Sequence, residues 1–269
     1  MPHTNKKKVM IIFGTRPEAI KMAPLVHELK KYSAFNVYVC VTAQHREMLD
    51  QVLKVFNIQP DFDLNIMKDR QTLVDVTTRA LNGLNNIIKE VKPDMVLVHG
   101  DTTTTFVGGL AALYNQVAIG HVEAGLRTNN KYSPFPEEMN RQLTGVIADL
   151  HFAPTELAFD NLRMESKPEN TIFMTGNTVI DAQKTTVYED YQHPLLDEIS
   201  GLRMVLMTAH RRENLGDPMR NIFHAIRRLV DHHQDIAVVY PVHMNPMVKE
   251  AADDILGNHE ASYDQPEPP

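Results

Sequence analysis

A series of apolar, strand-like runs in this chain each ends in a short polar motif, and these motifs hold the candidates for chemistry. Val9 to Phe13 leads into Gly14-Thr15-Arg16-Pro17-Glu18, with Lys21 one helical turn further on. A glycine-bearing turn into a helix N-terminus, with two cations beside it, suits a diphosphate, because free N–H groups and the helix dipole favour negative charge there. The spacing is neither Gly-x-Gly-x-x-Gly nor a P-loop, and alone the turn also reads as plain structure. The next such motif is His99-Gly100-Asp101-Thr102, whose Asp101 also reads as a helix N-cap. His121-Val122-Glu123-Ala124-Gly125-Leu126-Arg127-Thr128 puts Glu123 between a buried strand and a glycine turn, a costly place for a carboxylate unless it is paired. Pro134 to Arg141 places Glu137 and Glu138 at a helix start, where acids also serve simply as a charged first turn. Further on, His210 and His243 follow two more strand-like runs, and each also reads as an ordinary loop histidine.

Together these residues say more than any one of them. Ligands of open parallel sheets bind beyond the carboxyl ends of the strands, where Asp101, Glu123, Glu137, Arg16, Lys21 and His210 all fall. Crowded carboxylates raise one another's pKa, which suits a general acid and base near neutral pH. The cations would hold a leaving diphosphate. The expected chemistry is therefore acid–base work on a carbon skeleton beside a nucleotide. The 13 histidines are scattered, no His/Cys/Asp/Glu set has metal-ligand spacing, and a single cysteine, Cys40, excludes a thiolate cage. No metal or cofactor is expected.

The elements that must carry these motifs alternate between β-rich runs and helical periodicity, the pattern of βαβ units and a parallel sheet. Strands are expected at 9–13, 37–42, 94–99, 117–122, 150–153 and 171–175, and helices at 19–31, 47–56, 72–91, 103–114, 136–148 and 155–165. The polar, aromatic stretch 185–201 reads as a linker between a first domain, 1–184, and a second, 202–269. The second has strands at 203–208 and 236–240 and helices at 218–232 and 246–256. Its last residues, 258–269, have no periodic pattern.

Composition narrows the class. With 269 residues, 43% hydrophobic and 23% charged, the chain is of ordinary globular type. A net charge of −7 argues against a general nucleic-acid binder, which needs an excess of Lys and Arg. No apolar run reaches the roughly 20 residues that span a bilayer, and 9–13 is too short for a signal-peptide core. The expected location is the cytoplasm, with no membrane partner.

The motifs above, with Gly176-Asn177-Thr178 and His210-Arg211-Arg212-Glu213-Asn214, occur in one order over about residues 8 to 257. In this the chain resembles the bacterial non-hydrolysing UDP-N-acetylglucosamine 2-epimerases. The resemblance implies a GT-B-like α/β fold of two Rossmann-like domains facing a cleft, the second incomplete here, and a homodimer. It implies interconversion of UDP-N-acetylglucosamine and UDP-N-acetylmannosamine for cell-surface polysaccharides, by elimination of UDP to 2-acetamidoglucal and re-addition. Asp101, Glu123 and Glu137 would be the acid–base carboxylates, with acid and base unassigned. His210 would contact the phosphates and help the leaving group, with Arg16, Lys21 and Arg141 also binding the UDP-sugar. Many members take substrate as an allosteric activator as well, at a site corresponding to Gln44, Glu47 and Arg70, although family members often carry Gln where this chain has Glu47.

Family chains continue past the point where this one loses its pattern, through a Ser-Gly-Gly…Glu-Glu segment that holds UDP. The expectation is that 1–269 alone binds UDP poorly and turns over little. The alternatives are a GT-B glycosyltransferase, a hydrolysing epimerase, and a non-catalytic truncated remnant.

Overall fold

The computed structural model describes residues 6–43, 46–68, 71–209, 214–243 and 245–257. The chain forms two compact units that divide between Val187 and Tyr188. The first runs β1 (Lys7–Phe13), α1 (Arg16–Lys30), β2 (Phe35–Val41), α2 (Arg46–Val55), β3 (Phe62–Asp63), α3 (Leu73–Val91), β4 (Met95–His99), α4 (Thr103–Tyr114), β5 (Ala118–Val122), α5 (Glu137–Ile147), β6 (Leu150–Ala153), α6 (Glu156–Met164), β7 (Ile172–Met174) and α7 (Val179–Thr186). The second comprises α8 (Pro194–Glu198), β8 (Arg203–Leu206), α9 (Asp217–His232), β9 (Ile236–Val239) and α10 (Pro246–Leu256). This is the mixed α/β class that the alternating pattern requires.

In the first unit seven parallel strands lie in the order β3-β2-β1-β4-β5-β6-β7. The chain winds outward from β1 in one direction and then returns to build from β4 in the other. The strand order therefore reverses between β1 and β4, the crevice where such sheets bind ligands. Alternation along β1 divides the core into two layers. Val9, Ile11 and Phe13 pack with Ala19, Met22, Ala23 and Val26 of α1. Met10 and Ile12 pack with Ala80, Leu84 and Ile88 of α3 and with Val107 and Ala111 of α4. Both faces are covered, as a doubly wound sheet needs. Thr72 caps α3 reciprocally with Asp75, each side chain taking the other's backbone N–H at 3.2 and 2.9 Å. Cys40 is fully buried in β2, and burial pushes its thiol up to about 12, so it is an inert core residue.

Among the described residues four elements escaped the pattern: the two-residue edge strand β3, a 3-10 turn at Glu169–Thr171, α7, and the single-turn-scale helix α8 inside the stretch read as linker. In the second unit β8 and β9 form a two-stranded parallel sheet. Its buried core is Met219, Phe223, Val248, Ala251 and Ala252, while Met204, Val205 and Leu206 of β8 are exposed. Among the described residues no helix is long and apolar enough to cross a membrane.

Candidate active site

The carboxyl ends of β1, β4 and β5 bring three turns together. The turn after β1 carries Arg16, exposed at the first position of α1, and Lys21 on the next turn of that helix. The turn after β4 carries Gly100 and Asp101, and the turn after β5 carries Glu123. Glu123 adopts a left-handed backbone, φ 62°, which a non-glycine residue holds only when its surroundings dictate it. Gly125 follows at φ 89°, and a Cβ there would sit 2.1 Å from the Ala158 carbonyl oxygen. The turn after Glu123 is thus pressed against α6.

Glu123 is enclosed by donors. Lys21 Nζ lies 2.6 and 2.7 Å from its two oxygens. Asn177 Nδ2 donates to Oε1 at 2.9 Å, while Asn177 Oδ1 accepts from the Val179 N–H at the start of α7. His99 Nε2 is 3.2 Å from Oε2, off the line of a hydrogen bond. Burial holds His99 down to about 4, with Glu123 opposing and Lys21 reinforcing the shift, so its ring is neutral. The carboxylate is therefore paired, which answers the cost of placing it there.

Asp101 is held from α5. Arg141 Nη2 donates to Asp101 Oδ2 at 2.6 Å, and Asn140 Nδ2 donates to the Asp101 carbonyl oxygen at 2.9 Å. Burial raises the Asp101 pKa; Arg141 pulls it down, and the nearby charges of Glu137 and Glu123 push it up. That interaction ties Asp101, Glu123 and Glu137 into one electrostatic group. Glu137 opens α5 and is partly exposed. Its neighbour Glu138 is fully buried and accepts from the backbone N–H groups of Thr128 and Asn129 and from Gln142. Burial opposes its charge, but those donors prevail and lower its pKa. One acid of the pair fastens the 126–136 loop, and the other stays partly exposed.

Of the residues read from sequence, the structure brings together Lys21, Asp101, Glu123, Glu137 and Arg141 in the first unit. Arg16 stands at the edge of this group without a partner among the described residues. Lys21, read as a phosphate ligand, faces Glu123. Arg141, read as a substrate contact, is buried against Asp101. Gln44, Arg70 and His210 lie outside the described residues, as does the side chain of Glu47, the second residue of α2. Arg127 is spent on a two-point ion pair with Glu165. Sequence reasoning missed Glu18, His99, Glu138 and Asn177, whose neighbours come from other segments of the chain. Among the described residues no group of three or more His, Cys, Asp or Glu is placed to hold a metal ion.

Residues 27–265 match the family model described as UDP-N-acetylglucosamine 2-epimerase. A protein of that name from Bacillus subtilis is 66% identical over 253 residues, covering 94% of this chain and 67% of its own. The solved complex of Staphylococcus aureus MnaA with UDP matches with a TM-score of 0.85 at 58% identity, covering 94% of this chain and 67% of that one. The Neisseria meningitidis UDP-GlcNAc 2-epimerase bound to UDP-GlcNAc matches with a TM-score of 0.83 at 47% identity, covering 93% and 70%. The chain thus spans about two thirds of the length of these relatives.

Proposed function

This chain belongs to the UDP-N-acetylglucosamine 2-epimerase family, and on that premise we propose that its first unit supplies the acid–base groups that invert C2 of UDP-N-acetylglucosamine. The supporting observation is the pairing of two held carboxylates, Glu123 under Lys21 and Asp101 under Arg141, at the reversal of strand order.

Inversion at C2 needs a base on one face of the sugar and an acid on the other. The C2–H bond breaks, its electron pair becomes the C1=C2 double bond of 2-acetamidoglucal, and the C1–O bond to UDP breaks with the pair going to the phosphate oxygen. A proton then returns to C2 on the opposite face while UDP re-forms the bond at C1. Asp101, whose pKa is raised, is suited to carry the proton. Glu123, fixed by Lys21 and Asn177, and Glu137, partly exposed, are the candidates for the base. Arg16, exposed at the N-terminus of α1, suits the leaving diphosphate; Lys21, read from sequence for the same role, is held by Glu123, and His210 is assigned that role by the resemblance alone. The reading extends to a cytoplasmic homodimer that serves cell-surface polysaccharide synthesis and takes the substrate also as activator, near Gln44, Glu47 and Arg70.

The test is to incubate the chain with UDP-N-acetylglucosamine in deuterated water without any acceptor. UDP-N-acetylmannosamine carrying deuterium at C2, formed slowly in keeping with the low turnover expected of residues 1–269 alone, is the expected product. Release of free N-acetylmannosamine would point to a hydrolysing enzyme, and unchanged substrate would contradict the proposal.

A further inference from the structure

We propose that Glu18 is a positioning residue: its buried carboxyl group clamps the turn that carries Arg16 and Lys21 to the turn that carries Asp101. The inference rests on the function proposed above and deepens it. Glu18 is 2% exposed and touches nothing that would react. As the third residue of α1 it first reads as the acid of an ordinary capping box. A capping box needs one carboxyl oxygen, and here Oε2 fills that role, accepting from the N–H groups of Gly14 at 3.0 Å and Thr15 at 2.9 Å. The other oxygen crosses to a different element. Thr102 Oγ1 donates to Glu18 Oε1 at 2.8 Å, and Thr105 Oγ1 lies 3.2 Å from the same atom.

Thr102 is also the N-cap of α4, accepting from the Thr105 N–H at 3.1 Å. One carboxyl group therefore joins the N-terminus of α1 to the N-terminus of α4, across the reversal of strand order between β1 and β4. Asp101 is the residue next to Thr102, and Lys21 lies one turn beyond Glu18 on the same helix. The clamp fixes the distance between the cation that faces Glu123 and the acid that faces Arg141. The burial that makes this group costly to hold, and that raises its pKa, is what a purely local cap would avoid, since a cap at the surface does the same job without desolvation.

Three variants test it: Glu18→Ala removes the clamp, Glu18→Asp is one methylene short, and Glu18→Gln keeps a carbonyl for the Gly14 and Thr15 N–H groups and an amide that can meet the two threonine hydroxyls. Two readouts apply to each, after far-ultraviolet dichroism and melting confirm folding: steady-state C2 inversion, and titration of the Asp101 carboxyl carbon by carbon-13 NMR. The Ala variant is expected to lose kcat by roughly 100-fold, the scale of a small misplacement of reacting groups, with KM changed less than threefold, and to shift the Asp101 titration. Gln is expected to restore both toward wild type. Should Ala not fold, Asp carries the same expectations. A folded Ala or Asp variant with wild-type kcat and an unmoved Asp101 titration would overturn the proposal. If the wild-type chain shows no inversion, the proposed function fails, while the Asp101 titration still decides the role of Glu18.

Discussion

Lys21 and Glu123, 102 residues apart in sequence, meet with the ammonium nitrogen 2.6 and 2.7 Å from the two carboxylate oxygens. The side chains are 24% and 11% exposed, so this is a largely desolvated pair. Removing one member of a buried pair strands the other's charge, at about 3–5 kcal/mol in full burial. With part of Lys21 in contact with water, Lys21→Met is expected to cost less, about 1–3 kcal/mol. Urea unfolding measures it. The double variant Lys21→Met with Glu123→Gln should recover part of the loss, since neither charge is then stranded; a double variant no more stable than the single would contradict the pairing.

Arg141 lowers the pKa of Asp101 against burial and two like charges. Arg141→Gln removes that cation, so the Asp101 pKa rises further and the Asp101 step of the pH–rate profile moves to higher pH. The same variant leaves the Asn140 contact to the Asp101 backbone in place, which separates electrostatics from position. A profile unchanged from wild type would show that Asp101 does not limit the reaction.

His99, His121 and His151 are all buried, and burial lowers their pKa from 6.5 to about 4, about 3 and about 4. A depressed folded-state pKa contributes stability that is present above 6.5 and is lost as pH falls toward the folded value. For His99 alone the shift corresponds to about 3 kcal/mol. Glu18 and Asp101, with raised values, act in the opposite sense: their contribution falls as pH rises through their window. The histidines are more numerous and their shifts are large, so melting temperature should fall from pH 7 to pH 4.5. His121→Gln can keep a donor for the Gly100 carbonyl, which His121 Nε2 meets at 2.7 Å, and should flatten that dependence; an equally steep fall would contradict the assignment.

Two glycines with similar backbones predict different costs. Gly125 and Gly176 have φ of 89° and 78°, but a Cβ meets the Ala158 carbonyl at 2.1 Å in the first and nothing within 4 Å in the second. Gly176→Ala should cost the conformational penalty alone, about 1–2 kcal/mol. Gly125→Ala adds a backbone collision, and should exceed about 3 kcal/mol and reduce inversion by displacing Glu123. Equal losses of stability would contradict the compression of this turn.

Much of this arrangement is legible in the sequence because strand-end motifs mark themselves. The runs ending at Phe13, His99 and Val122 set β1, β4 and β5, and the turn after each of these strands faces the site. The missed side chains share a cause: they depend on contacts with other segments of the chain. β3 is two residues long, too short for any period. Glu137 and Glu138 look equivalent in a row, and only folding sends Glu138 inward to the Thr128 and Asn129 amides. Asn177 is visible in Gly176-Asn177-Thr178 but shows no role until the fold sets it 2.9 Å from Glu123. The Glu18 carboxyl fits a local cap, and nothing in its neighbours points to Thr102. Lys21, a cation near a helix start, suits a phosphate, yet a carboxylate from the end of β5 reaches it first.

The central claim is that the held carboxylates Asp101 and Glu123 serve proton transfer at C2, with Glu137 the other candidate for the base. The most direct measurement is the incorporation of solvent deuterium at C2 of UDP-N-acetylglucosamine by Glu123→Gln and Asp101→Asn, compared with wild type, alongside UDP affinity by calorimetry. A loss of roughly 100- to 10,000-fold in incorporation, with UDP affinity within a few-fold, is the predicted result. Incorporation at the wild-type rate in both variants would contradict the account.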